Sequence, residues 1–358
     1  MEGIGGEGRG CGEDKISLHQ IMVLSAVALL APATTALPGQ TARMAGGLSW
    51  TAPLLALPAV LALVWSLRRL CRRRGLAQAF EEILGRRWGR ILTAAYLLWG
   101  LLLLAAHGGT GVERLAAGGY GGGTWLPLAA LLVLVLWVAR GKTCTLARGA
   151  EIFKLILAVT LGAVLVLSLS RMELRNLLPM TGTGGFGIPS AAAAILSRLG
   201  AGVYSGFLTG AVTPRRGDAG RAYGWAAGFC ILLAAVQLVL LGNFGAEFTA
   251  QLGQPLFSLA KGVGVPGAFG RVEATVAALW LLSDLTLLIL LTQACCDMAQ
   301  RLLGLQTRGA AAPVLAVLTL GGAALPLSET WTARGNLIFG FALPLFIAAV
   351  AGLRKEHI

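Results

Sequence analysis

The sequence predicts an all-α integral membrane protein of ten transmembrane helices. They form a five-plus-five inverted repeat in which helices 1 and 6 are discontinuous. Three observations predict it. Ten apolar stretches separated by short loops fill nearly the whole chain. The first and sixth stretches are each interrupted near mid-membrane by Gly, Pro and hydroxyl residues. The two long loops, 68–90 and 243–270, join helices two to three and seven to eight. Those are equivalent positions on opposite faces of such a repeat.

Composition sets the class. The 358 residues are 56% hydrophobic and 13% charged, with mean hydropathy +0.76. A soluble chain carries about 25% charged residues. The apolar runs suffice to cross ~30 Å of hydrocarbon, which takes about 20 residues each. The 50 glycines let helices approach closely in lipid, where no hydrophobic effect presses them together. The net charge of +13 does not point to nucleic acid, because it is sorted by side. With the N-terminus in the cytoplasm, 21 basic residues fall inside and 7 outside, and Arg198 lies within helix six. That is the positive-inside pattern, and an odd helix count would erase it.

The spans in order are 16–37, 49–67, 91–107, 124–140, 151–170, 189–212, 222–242, 271–295, 311–326 and 335–352. The inner loop 68–90 contains a short amphipathic helix, LAQAFEEILGRRWGR. The outer loop 243–270 contains another apolar-patterned piece, FTAQLGQPLFSLAKGV. Residues 1–15 are Gly- and Glu-rich and read as a disordered tail lacking the order of a cleavable signal. Residues 16–358 read as a single transmembrane transporter-like domain, with both termini cytoplasmic. Cys11, Cys71, Cys144, Cys230, Cys295 and Cys296 form no CxxC pair, so neither a zinc site nor a disulfide framework is expected.

Helix one reads ISLHQIMVLSAVALL and then APATTALPGQ. Pro32 and Pro38 each remove a backbone donor and clash with the carbonyl four residues earlier. Thr34 and Thr35 set hydroxyls beside the freed carbonyls. An unwound segment facing a solute and an ordinary proline kink both fit this pattern. In helix six, Ser197, Gly200, Gly202, Ser205 and Gly206 weaken the middle. Gly202, Gly206 and Gly210 also make a GxxxGxxxG face suited to close packing. Breaks at matching positions of two halves point to a binding site, because lipid leaves a freed backbone group no partner.

Two charges inside spans are candidates for an ion, proton or charge role. Arg198 could hold a carboxylate, snorkel outward or pair with an acid on the outer side. Asp284, one turn beyond Trp280 on the same face of helix eight, could meet water, a cation or an arginine, or bond the unwound part of helix one. Glu273 reads as interfacial and Glu151, beside Arg148, as a surface pair. Tyr96 and Trp99 could wall a cavity. No HExxH, GxSxG or P-loop occurs, so no enzyme activity, cofactor or metal is expected.

These residues resemble a known family. KISLHQIMVLSAVALLAPATTALPGQTARMAGGLSW is similar to the start of the spore germination permeases (GerAB type), of the amino acid–polyamine–organocation superfamily. FEEILGRRWGRILTAAYLL, ARGAEIFKLILAV and GRVEATVAALWLLSDLTLLILLTQA are similar to its later segments, so the likeness spans residues 15–355 in order. The resemblance implies a LeuT-like fold and a role as the membrane-embedded B subunit of a nutrient germinant receptor. Such a subunit works with A and C subunits in the spore inner membrane. Its ligand would be a small nutrient such as an amino acid, held by Ala33, Thr34 and Thr35 with Gly200, Ala201 and Gly202 opposite, and with Tyr96 and Trp280 as walls. The alternative is a proton-coupled amino acid secondary transporter.

Overall fold

The computed structural model describes residues 16–71, 74–117, 125–178, 185–212, 217–263, 272–305, 312 and 329–355. The expected N-terminal tail, and the ninth span apart from Ala312, lie outside them. Everything regular among the described residues is helical. Among the described residues, seven helices are long and apolar enough to cross a bilayer, and the shorter apolar helix Leu18–Thr34 stands beside them.

The first span is two helices. α1, Leu18–Thr34, starts at a capping box in which Ser17 and Gln20 satisfy each other's backbone amides. It stops after Thr34, and α2 resumes over Leu37–Ala45 with Pro38 in its first turn, where a fixed φ suits a helix start. The break at Thr35 and Ala36 falls between the two prolines that predict it. A 3₁₀ turn, Gly46–Thr51, leads into α3, Ala52–Leu70, the second span.

The inner-loop amphipathic helix is α4, Leu76–Leu84, which buries Leu76, Phe80 and Ile83. α5, Arg86–Ala117, α6, Trp125–Ala139, and α7, Thr143–Leu169, are the third to fifth spans. The sixth span changes type midway. α8, Gly187–Leu199, passes directly into a 3₁₀ helix over Gly200–Ala211. Runs of 3₁₀ beyond about four residues are uncommon. Here Ser205 and Thr209 donate to the carbonyls three residues back, Gly202 and Gly206, each at 2.7 Å. Those bonds reinforce the tighter spacing.

The seventh span, α9, Asp218–Gln251, turns at Gly245, whose φ of 73° a glycine tolerates. α10, Pro255–Val263, is the second half of the outer-loop feature. α11, Val272–Leu303, is the eighth span. The tenth is α12, Glu329–Leu337, a π-helical turn over Ile338–Ala342, and α13, Leu343–Lys355. Pro344 explains the π turn. It lacks an N–H and crowds the carbonyl of Gly340, four residues earlier.

Burial separates core from flank. The apolar windows of the sixth and eighth spans are 72% and 67% buried, against 22% for α7. α11 packs on α1, α5 and α6, while α8 packs on α2 and α3. The two broken spans are therefore enclosed by other helices, where interrupted backbone is tolerable in a bilayer. Cys71, Cys230, Cys295 and Cys296 are free thiols.

Candidate functional site

Where α1 ends, its last carbonyls lose their helical partners, and where α2 begins, its first amides do. The Thr35 amide still bonds the Ala31 carbonyl at 3.1 Å, and hydroxyls of the last turn add to the same carbonyls. Thr34 and Thr35 donate back to the carbonyls of Leu30 and Ala31, at 2.7 and 2.9 Å. The Trp280 indole N–H of α11 donates to the Thr34 hydroxyl at 3.2 Å. One turn nearer the N-terminus, Ser283 of α11 bridges two backbone groups of α1. Its hydroxyl accepts from the Ala31 N–H at 2.8 Å and donates to the Val27 carbonyl at 2.6 Å. α11 therefore splints α1 on the N-terminal side of the break. Asp284 follows on the same helix and is 2% exposed.

Ala33, Thr34 and Thr35 are all buried at this junction. A void of about 20 Å³ lies between Thr34, Trp280 and α7, enough for one water. Across from α1, Gly202 faces Leu29: a Cβ there would come within 3.1 Å of the leucine methyl. Ala201 beside it is buried. Leu29, Gly202 and Ser205 border a pocket of about 90 Å³ between the two interrupted spans. Below it a vestibule of about 990 Å³ opens toward the end of the molecule that carries the start of α1. Arg68, Arg69, Arg74, Glu81, Glu82 and Asp218 are among its lining residues. Ser205 lines both cavities, which therefore lie next to each other.

Two residues expected at the pocket wall sit elsewhere. Tyr96 of α5 is fully buried among aromatic rings, with Phe339 edge-on at 5.2 Å and Phe80 at 5.4 Å. Its hydroxyl donates to the Phe339 carbonyl at 2.7 Å, and its own carbonyl accepts from Tyr204 at 2.9 Å. In the π register the Phe339 carbonyl would need the N–H of residue 344, which is proline. The Tyr96 hydroxyl fills that place. Gly200, at the change of helix type, lies backbone to backbone against the tenth span. A Cβ on Gly200 would meet the Asn336 oxygen at 2.5 Å, and one on Gly340 would meet the Gly200 Cα at 2.5 Å. Trp99 stacks on Phe339 at 5.4 Å and donates to the Asn336 side chain at 3.1 Å. These residues join the third, sixth and tenth spans to one another.

Arg198 has an acid within reach. Its guanidinium lies 3.6 Å from Glu329 of α12, and the same carboxylate oxygen accepts from Gln40 of α2 at 3.0 Å. The first, sixth and tenth spans are thereby tied on the side opposite the vestibule. Among the described residues, no three His, Cys, Asp or Glu side chains gather as a metal site.

Sequence reasoning passed over Ser283, Asn336 and Gly340. Ser283 carried a usable signal, a hydroxyl between Trp280 and Asp284 in a span facing a broken helix. Gly340 followed four residues later by Pro344 carried another.

The chain matches the protein family described as "Spore germination protein" over residues 15–322. No curated protein matches it significantly. Among solved structures, MhsT in complex with L-phenylalanine is similar in fold, with a TM-score of 0.73 at 15% identity. That alignment covers 94% of this chain and 89% of MhsT.

Proposed function

Because the chain belongs to the spore germination protein family, we propose that it is the membrane-embedded B subunit of a spore nutrient receptor, binding a small nutrient such as an amino acid to trigger germination. The observation that carries this reading is the pocket between two interrupted spans, with a wide vestibule beside it. The carbonyl end of α1 and the amide end of α2 place opposite partial charges two residues apart. A zwitterion satisfies both. The L-phenylalanine held by MhsT, a protein of like fold, is in keeping with an amino acid as ligand class.

Of the expected contacts only Gly202 lines this pocket, which meets α1 at Leu29 and earlier. In this reading Ala33, Thr34, Thr35 and Ala201 join Gly202 around the nutrient when the spans part, and Trp280 orients the Thr34 hydroxyl. Tyr96 and Gly200 act from behind, holding the third, sixth and tenth spans in register. Asp284 serves in charge or proton handling, and Arg198 with Glu329 closes the outer side. The 90 Å³ pocket is well below the ~300 Å³ at which small-molecule sites begin. Binding therefore selects an arrangement in which the interrupted spans stand further apart, and that population shift is the signal. A and C subunits read it in the spore inner membrane, with both termini of this chain and the vestibule on the cytoplasmic side.

Thr35→Leu and Gly202→Leu test the site. Each is expected to abolish binding of the nutrient to which wild-type spores respond, while the protein still reaches the membrane. An unchanged germinant response in both variants refutes the site. Uptake of that nutrient into liposomes by the purified chain, lost in Asp284→Asn, would favour a secondary transporter instead.

A further inference from the structure

Between α1, α7 and α9 a crevice of about 590 Å³ opens on the flank of the bundle. α7, which forms one wall, is the least buried of the seven long spans, so this flank faces lipid. Ala26 and Leu30 of α1, Leu157 and Leu161 of α7, and Phe229 and Leu232 of α9 line its apolar length. Gly224 and Gly228 lie along α9 in the same crevice, and a Cβ on either would meet nothing within 4 Å. The space is open down to the backbone there.

One end is different. Lys154 and Arg221 line it, and no acid does among the described residues. Arg221 and His19 are near the N-terminal ends of α9 and α1, and Lys154, further along α7, is brought level with them through Trp225. The Lys154 ammonium stands 5.7 Å from the centre of the Trp225 ring, and the Trp225 indole N–H donates to His19 at 3.2 Å. A cation and an indole so placed mark the membrane–water interface. From Arg221 to Leu232 is eleven residues of α9, about 16 Å at ~1.5 Å per residue. That is close to half of a ~30 Å hydrocarbon core, the depth of one leaflet.

We infer that this crevice binds an anionic phospholipid from the leaflet on the side of the chain's N-terminus. One acyl chain lies along Gly224, Gly228 and Leu161, and the phosphate sits with Lys154 and Arg221. The length match selects a lipid tail over a compact solute. The two cations without an acid select a negative headgroup over a neutral one. The bound tail lies against Ala26 and Leu30, so it also lines α1 just ahead of its break.

The full-length protein in a neutral detergent tests this by native mass spectrometry. It is titrated in separate arms with phosphatidylglycerol, phosphatidylcholine and glycerol 3-phosphate. Phosphatidylglycerol is expected to be retained at the lowest concentration, and glycerol 3-phosphate not at all. A Lys154→Gln/Arg221→Gln double variant is expected to weaken phosphatidylglycerol about thirty-fold and leave phosphatidylcholine unchanged. Gly228→Leu fills open space without touching either cation and is expected to lower retention of both lipids. Three results overturn the inference: equal retention of the two lipids by the wild type, retention unaffected by Gly228→Leu, or headgroup alone competing as well as whole lipid. A shift to the mass of a dimer that excludes lipid would assign the crevice to a second copy of the chain instead.

Discussion

Removing the Ser283 hydroxyl probes the splint on the first span most directly. In Ser283→Ala the Ala31 N–H and the Val27 carbonyl lose the partner that now lies at 2.8 and 2.6 Å. Ala31 and Ser283 are fully buried and Val27 is 3% exposed, so water cannot take its place. Each orphaned group costs about 1–3 kcal/mol. Partial reclosure of the helix recovers some of that, and the expected net loss is about 2 kcal/mol. Pro32 decides how much reclosure is open to α1, because its ring holds the preceding turn apart. In a Pro32→Ala background the helix can bond Ala31 to Val27 directly, and the serine becomes nearly dispensable. A double-mutant cycle on detergent-purified protein, read by thermal unfolding, should show a coupling of about 1 kcal/mol or more between the two sites. Equal losses from Ser283→Ala in both backgrounds, or no loss in either, would refute the splint.

Gly340→Ala and Gly200→Ala each drive a methyl into backbone of the facing span at 2.5 Å. Each should lower stability by about 1–3 kcal/mol, whereas Gly228→Ala, with open space around it, should be neutral or stabilising by up to about 1 kcal/mol. Glu329→Gln should change stability by less than about 0.5 kcal/mol, since the pair with Arg198 is 3.6 Å long and Glu329 is 73% exposed; a larger loss in the same unfolding assay would show that the contact carries more than an exposed ion pair does. Burial pushes the Cys71 thiol up to about 11, so less of it is the reactive thiolate at pH 8 than of an ordinary cysteine near 8.5. Its alkylation rate, followed by mass spectrometry of the peptide, should keep rising about tenfold per pH unit through pH 10, and a plateau near pH 9 would contradict that burial.

The spans were legible because hydrophobic runs of membrane length are unambiguous, and the paired breaks because proline and glycine act locally. The tail and nearly all of the ninth span fall outside the described residues, so ten helices remains the reading that fits the family and the fold. What sequence could not give was partnership. Tyr96 carries the same letters whether it walls a pocket or meets a carbonyl stranded by Pro344, 248 positions further along. Gly200 likewise reads as a flexible site residue until the tenth span is seen lying on it. Arg198 left three options open, and its acid, Glu329, lies 131 positions away. Ser283 was readable in principle, since hydroxyls commonly repair helices that proline has opened.

The 3₁₀ run over Gly200–Ala211 has a geometric corollary. Twelve residues rise about 24 Å at ~2.0 Å per residue, but only about 18 Å at the ~1.5 Å of an α-helix. Switching coil type would thus shorten the segment by some 6 Å while every residue stayed hydrogen-bonded. By such a switch the lower half of the sixth span would act as a telescoping strut, repositioning Thr209 and the neighbouring Arg74 carbonyl 3.0 Å from its hydroxyl without any hinge swinging open.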